Sequence, residues 1–189
     1  MSPLPDSLLE AVASAAVREG LADAVFTRLS TPLGRLLVVQ GPEGIARIGF
    51  EEEPEDGLLA EVAGKLGPRV VASDRELAVT RDAISAYLEG EGDTLDLPVD
   101  LELVHAPFRR EVLETLHDTV ARGEVVTYGK LAERSGNPKA FRAAATACAR
   151  NPVPLVVPCH RVVPSSGGIG NYGGGAARKR ALLELEGAL

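Results

Sequence analysis

Apolar positions recur at helical spacing through residues 7–19, where Leu8, Leu9, Val12, Ala15 and Val17 predict a short helix. The pattern then changes. "AVFTRLS", "GRLLVVQ" and "IARIGF" are short runs rich in β-branched and aliphatic residues, and each predicts a strand. "GPEG" between the last two supplies turn chemistry, so they form a hairpin. "EEEPEDG" is a charged, proline-containing loop. A helical pattern follows at Leu58–Leu66, and then a further strand at "PRVVAS". Residues 76–89 place Leu77, Ile84, Tyr87 and Leu88 on one helical face. "GEGDTLDLPVDL" reads as a loop leading into an edge strand, because Pro98 lacks the N–H that an inner strand must donate.

The pattern shifts near residue 105 and becomes mostly helical. "APFRREVLETLHDTVARG" opens with Pro107 at a first-turn position and closes on Gly123, with Val112, Leu113, Leu116 and Val120 on one face. Thr127 can cap a two-turn helix that holds Leu131 and Ala132. "SGNP" breaks it, and a second helix, dense in alanine, runs from about Lys139 to Arg150. Two short helices around a glycine turn are a helix-turn-helix pattern. A last helix spans about Ala176 to Glu186. The expected architecture is α+β: residues 1–105 form an N-terminal domain of strands and helices, and 106–189 a mostly helical C-terminal domain.

Charge sharpens that division. The net charge of the 189 residues is −7. Residues 1–105 carry eight Lys/Arg and 20 Asp/Glu, and residues 106–189 carry 12 and seven, so the first stretch is acidic by 12 and the second basic by five. A basic half suits an anionic partner, DNA among them; an unevenly charged solvated surface is the plainer alternative. No run of about 18 apolar residues predicts a membrane span, and "MSPLPDSLLEAV" lacks the basic-then-apolar layout of a secretory signal. A cytoplasmic protein with no membrane partner is expected.

The chemistry gathers in "NPVPLVVPCHRVVPSSGG", residues 151–168. An apolar run reads as a buried strand ending at Pro158, and Cys159 and His160 follow it directly. Cys159 is one of two cysteines, the other being Cys148. With no signal sequence, a structural disulfide is not expected. His105, His117 and His160 do not combine with the cysteines at zinc spacing, so no metal is expected. Cys159 is therefore either a small core residue or a nucleophile whose proton an imidazole takes. Adjacent side chains on a strand point apart, so His160 needs a turn or a bridging water to act on Cys159. In "FRAAATACAR" small residues follow Arg142 almost without break; this suits close helix packing, or an arginine beside a smooth helix lying in a nucleic-acid groove. "SSGGIGNYGGG" fits a loop closing over a substrate, with Tyr172 able to stack on a base; it lacks the Lys-Ser/Thr ending of a phosphate-binding loop.

Taken in order, "GNP", "PCHRVV", "GNYGGG" and "LLELEG" resemble the O6-alkylguanine-DNA alkyltransferase family, also called methylated-DNA–protein-cysteine methyltransferases, from about Ala106 to Gly187. The resemblance implies a ribonuclease-H-like antiparallel sheet with helices before the helix-turn-helix domain. It implies one irreversible transfer of an alkyl group from O6 of a flipped-out guanine in duplex DNA to Cys159, with no cofactor. His160 would act through a water as base, Glu186 would orient it, Asn151 would hold the active-site turn, and Tyr128 would donate towards the leaving guanine and crowd its phosphate. Arg142 would enter the duplex, and Arg109, Asn137 and Ser165 would meet DNA phosphates. Tyr172, Gly173, Gly174 and Val162 would line the guanine pocket, with Cys148 on its wall. A monomer is expected. Acceptance of O4-alkylthymine and assembly of several copies along DNA stay open. Ala145 and Thr146 stand where the family often has glycine, which implies an altered groove fit. A DNA-binding damage sensor without transfer, and a cysteine hydrolase, are the competing readings.

Overall fold

The computed structural model describes residues 5–92 and 94–189. Its contacts divide the chain into two compact units. One runs to Ala86 and takes in Leu97–Leu103; the other comprises Tyr87–Asp96 and Val104–Leu189. The division is thus not a single cut near residue 105, because two short segments are exchanged across it.

The first unit is built on a sheet of β1 (Ala24–Thr31), β2 (Gly34–Gln40), β3 (Ile45–Phe50) and β4 (Val70–Ala72), in the order β3-β2-β1-β4. The first three strands are antiparallel, and β4 joins β1 in parallel. β2 is buried on both faces at Leu36–Val39, which explains its unbroken apolar run. Ala24, Phe26, Leu37 and Val39 form one core with Leu58 and Val62 of α2 (Glu55–Leu66). Gly49 lets that helix approach: a Cβ there would stand 2.2 Å from Leu58 Cδ1. α1 (Asp6–Arg18) and the greater part of α3 (Ala78–Leu88) complete the unit. The edge strand expected around Pro98 is only a single parallel bridge between Ile45 and Val99. Ile45 N–H donates to Pro98 O and Asp100 N–H to Ile45 O, and Pro98 offers no N–H with which to extend the ladder.

The second unit holds α4 (Pro107–Thr119), β5 (Val126–Thr127), α5 (Tyr128–Arg134), α6 (Phe141–Ala149), β6 (Val162–Val163) and α7 (Gly175–Leu185). α4 buries Val112, Leu113 and Leu116; it stops at Thr119, short of the expected Gly123, because Val120 turns extended. Thr127 caps α5 as its sequence predicts, its hydroxyl accepting from Lys130 N–H at 3.2 Å. α6 packs on both α4 and α5, turning Ala144, Ala147 and Cys148 inward and leaving Arg142 exposed. β5 and β6 pair in parallel, Val126 with Val162 and Thr127 with Val163. This two-residue ladder sets the start of α5 beside the segment that carries Cys159. No helix among the described residues is long and apolar enough to cross a membrane.

The buried strand expected before Cys159 does not form. Pro152, Pro154 and Pro158 remove three backbone donors from a seven-residue stretch, so no ladder can run through it. The chain coils instead: Val157 N–H donates to Val153 O at 2.9 Å, and Leu155 takes a left-handed φ of 75°. Val153, Leu155, Val156 and Val157 are all buried, which is why the run is apolar.

Gly136, between α5 and α6, has φ +78°, and a Cβ there would meet nothing within 4 Å. Gly136→Ala should therefore carry only the backbone penalty of the left-handed region, about 1–2 kcal/mol. A thermal melt should show the midpoint lowered by a few degrees, roughly 2–4 °C for each kcal/mol. An unchanged midpoint would show that the turn tolerates another geometry.

Candidate active site

Cys159 opens a single 3-10 turn, Cys159–Arg161, closed by Arg161 N–H donating to Pro158 O at 2.9 Å. In such a turn successive side chains diverge by about a third of a revolution, not the half-turn of a strand. Cys159 and His160 can therefore serve one site while facing different neighbours. Cys159 is only 4% exposed. Asn151 Nδ2 donates to its Sγ at 3.1 Å and to Val157 O at 2.8 Å, while Asn151 Oδ1 accepts from Val153 N–H at 3.0 Å. One amide side chain thus ties down both the coil and the sulfur at its end. Burial pushes the Cys159 thiol up to about 11, against the pull of the Asn151 donor and the Lys179 ammonium. The resting group is a neutral thiol.

His160 is fully buried and turns to the C-terminal end of α7, where its Nε2 meets Glu186 Oε1 at 2.6 Å. Arg161 grips the same carboxylate, with Nε to Oε2 at 2.8 Å and Nη2 to Oε1 at 3.2 Å, and its Nη1 donates to Val120 O at 2.7 Å. Tyr87 OH also donates to Glu186 Oε1. Burial alone would raise the Glu186 carboxyl, but the hydrogen bonds from His160, Arg161 and Tyr87 outweigh it and hold the group ionised, far below the usual carboxylate range. An ionised carboxylate only accepts, so Nε2 carries the imidazole hydrogen and Nδ1 carries the lone pair. Nδ1 is buried and has no hydrogen-bonding partner among the described residues. Burial pushes His160 below its ordinary value despite Glu186, so the ring is neutral near pH 7.

Cys159 opens onto a pocket of about 660 Å³ lined by Tyr128, Ala145, Thr146, Cys148, Ala149, Pro164, Gly170, Asn171, Tyr172 and Gly173. Tyr128, the first residue of α5, is delivered there by the β5–β6 ladder; burial raises its phenol, which stays protonated. Tyr172 stands edge-on to His160, with ring centroids 6.3 Å apart. Of the expected pocket residues, Cys148, Tyr172 and Gly173 are on the wall. Val162 and Gly174 are not: Val162 is buried in β6, and Gly174 caps α7. Arg142 stands exposed on α6, its guanidinium 5.5 Å from the ring centre of exposed Phe141. Asn137 and Ser165 are exposed, and Arg109 lies half-buried in the first turn of α4. These three lie away from the pocket lining. Among the described residues no three His, Cys, Asp or Glu side chains gather into a metal cage.

Three residues of the site escaped sequence reasoning. Arg161 lay inside the quoted motif but gave no hint that it shares Glu186 with His160. Lys179 is completely buried, and its Nζ donates to Val162 O at 2.6 Å and to Asn171 O at 3.2 Å, tying the glycine-rich loop to β6. It lies seven residues before Glu186 on α7, a two-turn spacing that could have suggested a shared face. Tyr87 lies 99 residues from Glu186, and nothing local marks it.

Residues 107–188 match the family described as "6-O-methylguanine DNA methyltransferase, DNA binding domain", and residues 24–101 match its ribonuclease-like domain. The human methylated-DNA–protein-cysteine methyltransferase is 38% identical over 168 residues, covering 85% of this chain and 79% of the human one. The chain belongs to the methylated-DNA–protein-cysteine methyltransferase family. Its Mycobacterium tuberculosis member is 45% identical over 105 residues, 56% of this chain and 62% of that one. A solved structure of Mycobacterium tuberculosis OGT in complex with DNA superposes with a TM-score of 0.72 at 31% identity, covering 87% of this chain and 93% of that one. The O6-methylguanine-DNA methyltransferase of Pyrococcus kodakaraensis gives 0.59 at 30% identity, covering 87% and 99%.

A thiol raised to about 11 is protonated below that pH, and its thiolate fraction grows roughly tenfold with each pH unit on the way up. In a Cys148→Ala background, alkylation of Cys159 by iodoacetamide should climb from about pH 7 to 9 without levelling, as an exposed thiol with its usual pKa would do. Asn151→Ala removes a donor that favours the thiolate and should slow the reaction across that range. Levelling near pH 8.5 would contradict the burial argument, and an unchanged rate in Asn151→Ala would contradict the role of its donor.

Proposed function

We propose that this chain repairs DNA by taking the alkyl group from O6 of a modified guanine in duplex DNA onto Cys159, once per molecule. The observation that carries the reading is the Cys159 sulfur on the pocket wall, held by Asn151 and backed by the buried His160–Glu186 pair. A nucleophile, a neutral base and an orienting carboxylate are the parts such a transfer needs.

The atoms balance simply. Sulfur forms a bond to the alkyl carbon as the bond from that carbon to O6 breaks. The thiol proton passes through a bridging water to His160 Nδ1, which holds the lone pair. The departing guanine takes a proton from the Tyr128 phenol, which is restored from His160 through solvent. Guanine and a cysteine thioether result. Nothing in the site can cleave a C–S bond, so the protein is consumed. O4-alkylthymine presents the same oxygen-linked alkyl group, and a pocket of about 660 Å³ has room for a base of either size.

The reacting carbon lies within the base stack, so the nucleotide must first leave the helix, at a cost of a few kcal/mol. α5 and α6 act as a helix-turn-helix. The small residues of α6 lie in the minor groove, Arg142 fills the space that the nucleotide leaves, and Arg109, Asn137 and Ser165 hold phosphates. Tyr172 and Gly173 close over the base, while Val162 and Gly174 support the loop from behind. A free-thiol nucleophile that works on chromosomal DNA belongs in a reducing compartment such as the cytoplasm.

Incubation with duplex O6-methylguanine should add about 14 Da, one methyl for one hydrogen, to the peptide holding Cys159, and should stop at one equivalent. Cys159→Ala should bind the duplex and transfer nothing. Turnover beyond one equivalent, or binding without any adduct on the intact chain, would overturn the reading. Arg142→Ala should slow transfer from duplex roughly tenfold or more, yet leave transfer from the free base O6-methylguanine near its original rate, because the free base needs no extrusion. Equal losses on both substrates would remove Arg142 from the extrusion step.

A further inference from the structure

The Glu186 carboxylate is shared in a way that the orientation of His160 does not require. Its Oε1 accepts from three donors, His160 Nε2, Arg161 Nη2 and Tyr87 OH, and its Oε2 accepts from Arg161 Nε. Tyr87 is 1% exposed and comes from the last turn of α3, upstream of the residues 107–188 that match the DNA-binding domain. The direction of its bond follows from its neighbours. Arg161 Nη2 donates to the Tyr87 oxygen at 3.4 Å, and a guanidinium cannot accept. The phenol must therefore spend its hydrogen on Glu186. Arg122 packs over the ring: its guanidinium stands 5.3 Å from the ring centre and donates to the carbonyls of Leu185 and Gly92.

We propose that Tyr87 is a positioning residue that sets the basicity of His160 by drawing on the same carboxylate oxygen. The proposal rests on the transfer chemistry above. A carboxylate that gives part of its charge to a phenol stabilises an imidazolium less, so His160 stays neutral and its Nδ1 stays available to the Cys159 proton. Other charged or titrating groups surround the pair, among them Arg178, which bears on Tyr172. Arg161 bears on Glu186 from the same 3-10 turn, and Lys179 of α7 is engaged with Val162 and Asn171. Tyr172 stands edge-on to the His160 ring, and Cys159 is neutral at rest. Burial first, and then both cations, oppose protonation of the ring, while Glu186 favours it; the Tyr87 hydrogen bond lowers the Glu186 carboxyl and so weakens its pull on the ring.

The test is the acid limb of the pH profile of methyl transfer from duplex O6-methylguanine. Neutral His160 is the active form, so the rate falls as pH drops through its pKa. Tyr87→Phe removes a donor, strengthens the pull of Glu186 on the imidazolium and should move that limb to higher pH by about half a unit, roughly a threefold loss of rate on the limb. Placing 3-fluorotyrosine at position 87 keeps the packing and makes the phenol a stronger donor; it should move the limb to lower pH. A role in packing alone would lower the rate evenly and leave the limb in place, and that result overturns the proposal. If Tyr87→Phe fails to fold, the fluorinated protein decides alone, in one direction or the other. Nitrogen NMR of the His160 ring in the free protein makes the same comparison without DNA. Absence of transfer would refute the functional reading, whereas an unmoved His160 titration in both altered proteins would refute the role of Tyr87.

Discussion

The site depends on one buried charge. The Glu186 carboxylate sits at the end of α7 with both oxygens withdrawn from water, and three side chains converge on it. Removing a carboxylate from water costs several kcal/mol, and only full hydrogen bonding with an opposite charge nearby offsets that cost. Arg161 brings the charge, and His160 and Tyr87 complete the donors. The protonation state of Glu186 then dictates the rest: an ionised acceptor fixes the imidazole tautomer, and the tautomer decides which ring nitrogen faces the thiol chemistry.

Burial works against the nucleophile and for the base. It drives the Cys159 thiol up and the His160 imidazole down, so proton transfer from sulfur to nitrogen is unfavourable in the resting protein. A catalyst that turned over rapidly would be poorly served by this. The proposed single transfer is better served, because a neutral sulfur stays inert towards stray electrophiles until a substrate fills the pocket. Asn151 and Lys179 are the two neighbours that ease the charge onto sulfur when the reaction comes, and both also hold loops in place.

Much of the fold was legible because each element has a local cause. The three antiparallel strands follow from short β-rich runs parted by turn residues, α5 from its threonine cap, and α4 from Pro107 and its apolar face. The stretch before Cys159 departs from the strand that its apolarity predicts, because apolarity records burial, which a strand and a packed coil share; its three prolines hold the distinction. The pocket wall was legible for Tyr172, Gly173 and Cys148, and less so for Gly174, next to lining Gly173, and Val162, which lies between lining Cys159 and Pro164 but points away into β6.

The sequence by itself determined which residues carry chemistry, since a cysteine, a histidine and their flanking motifs are covalent facts of the chain. It also determined the local elements that spacing, caps and turns dictate within about ten residues. The tertiary structure alone decided what those residues face. The two-residue β5–β6 pairing brings Tyr128 to the pocket that Cys159 lines, and α7 carries both Lys179 and Glu186 to the site. Tyr87 reaches Glu186 across 99 positions. Such partners are fixed by the close packing of the whole C-terminal unit, and no periodicity along the chain encodes a distance of that kind.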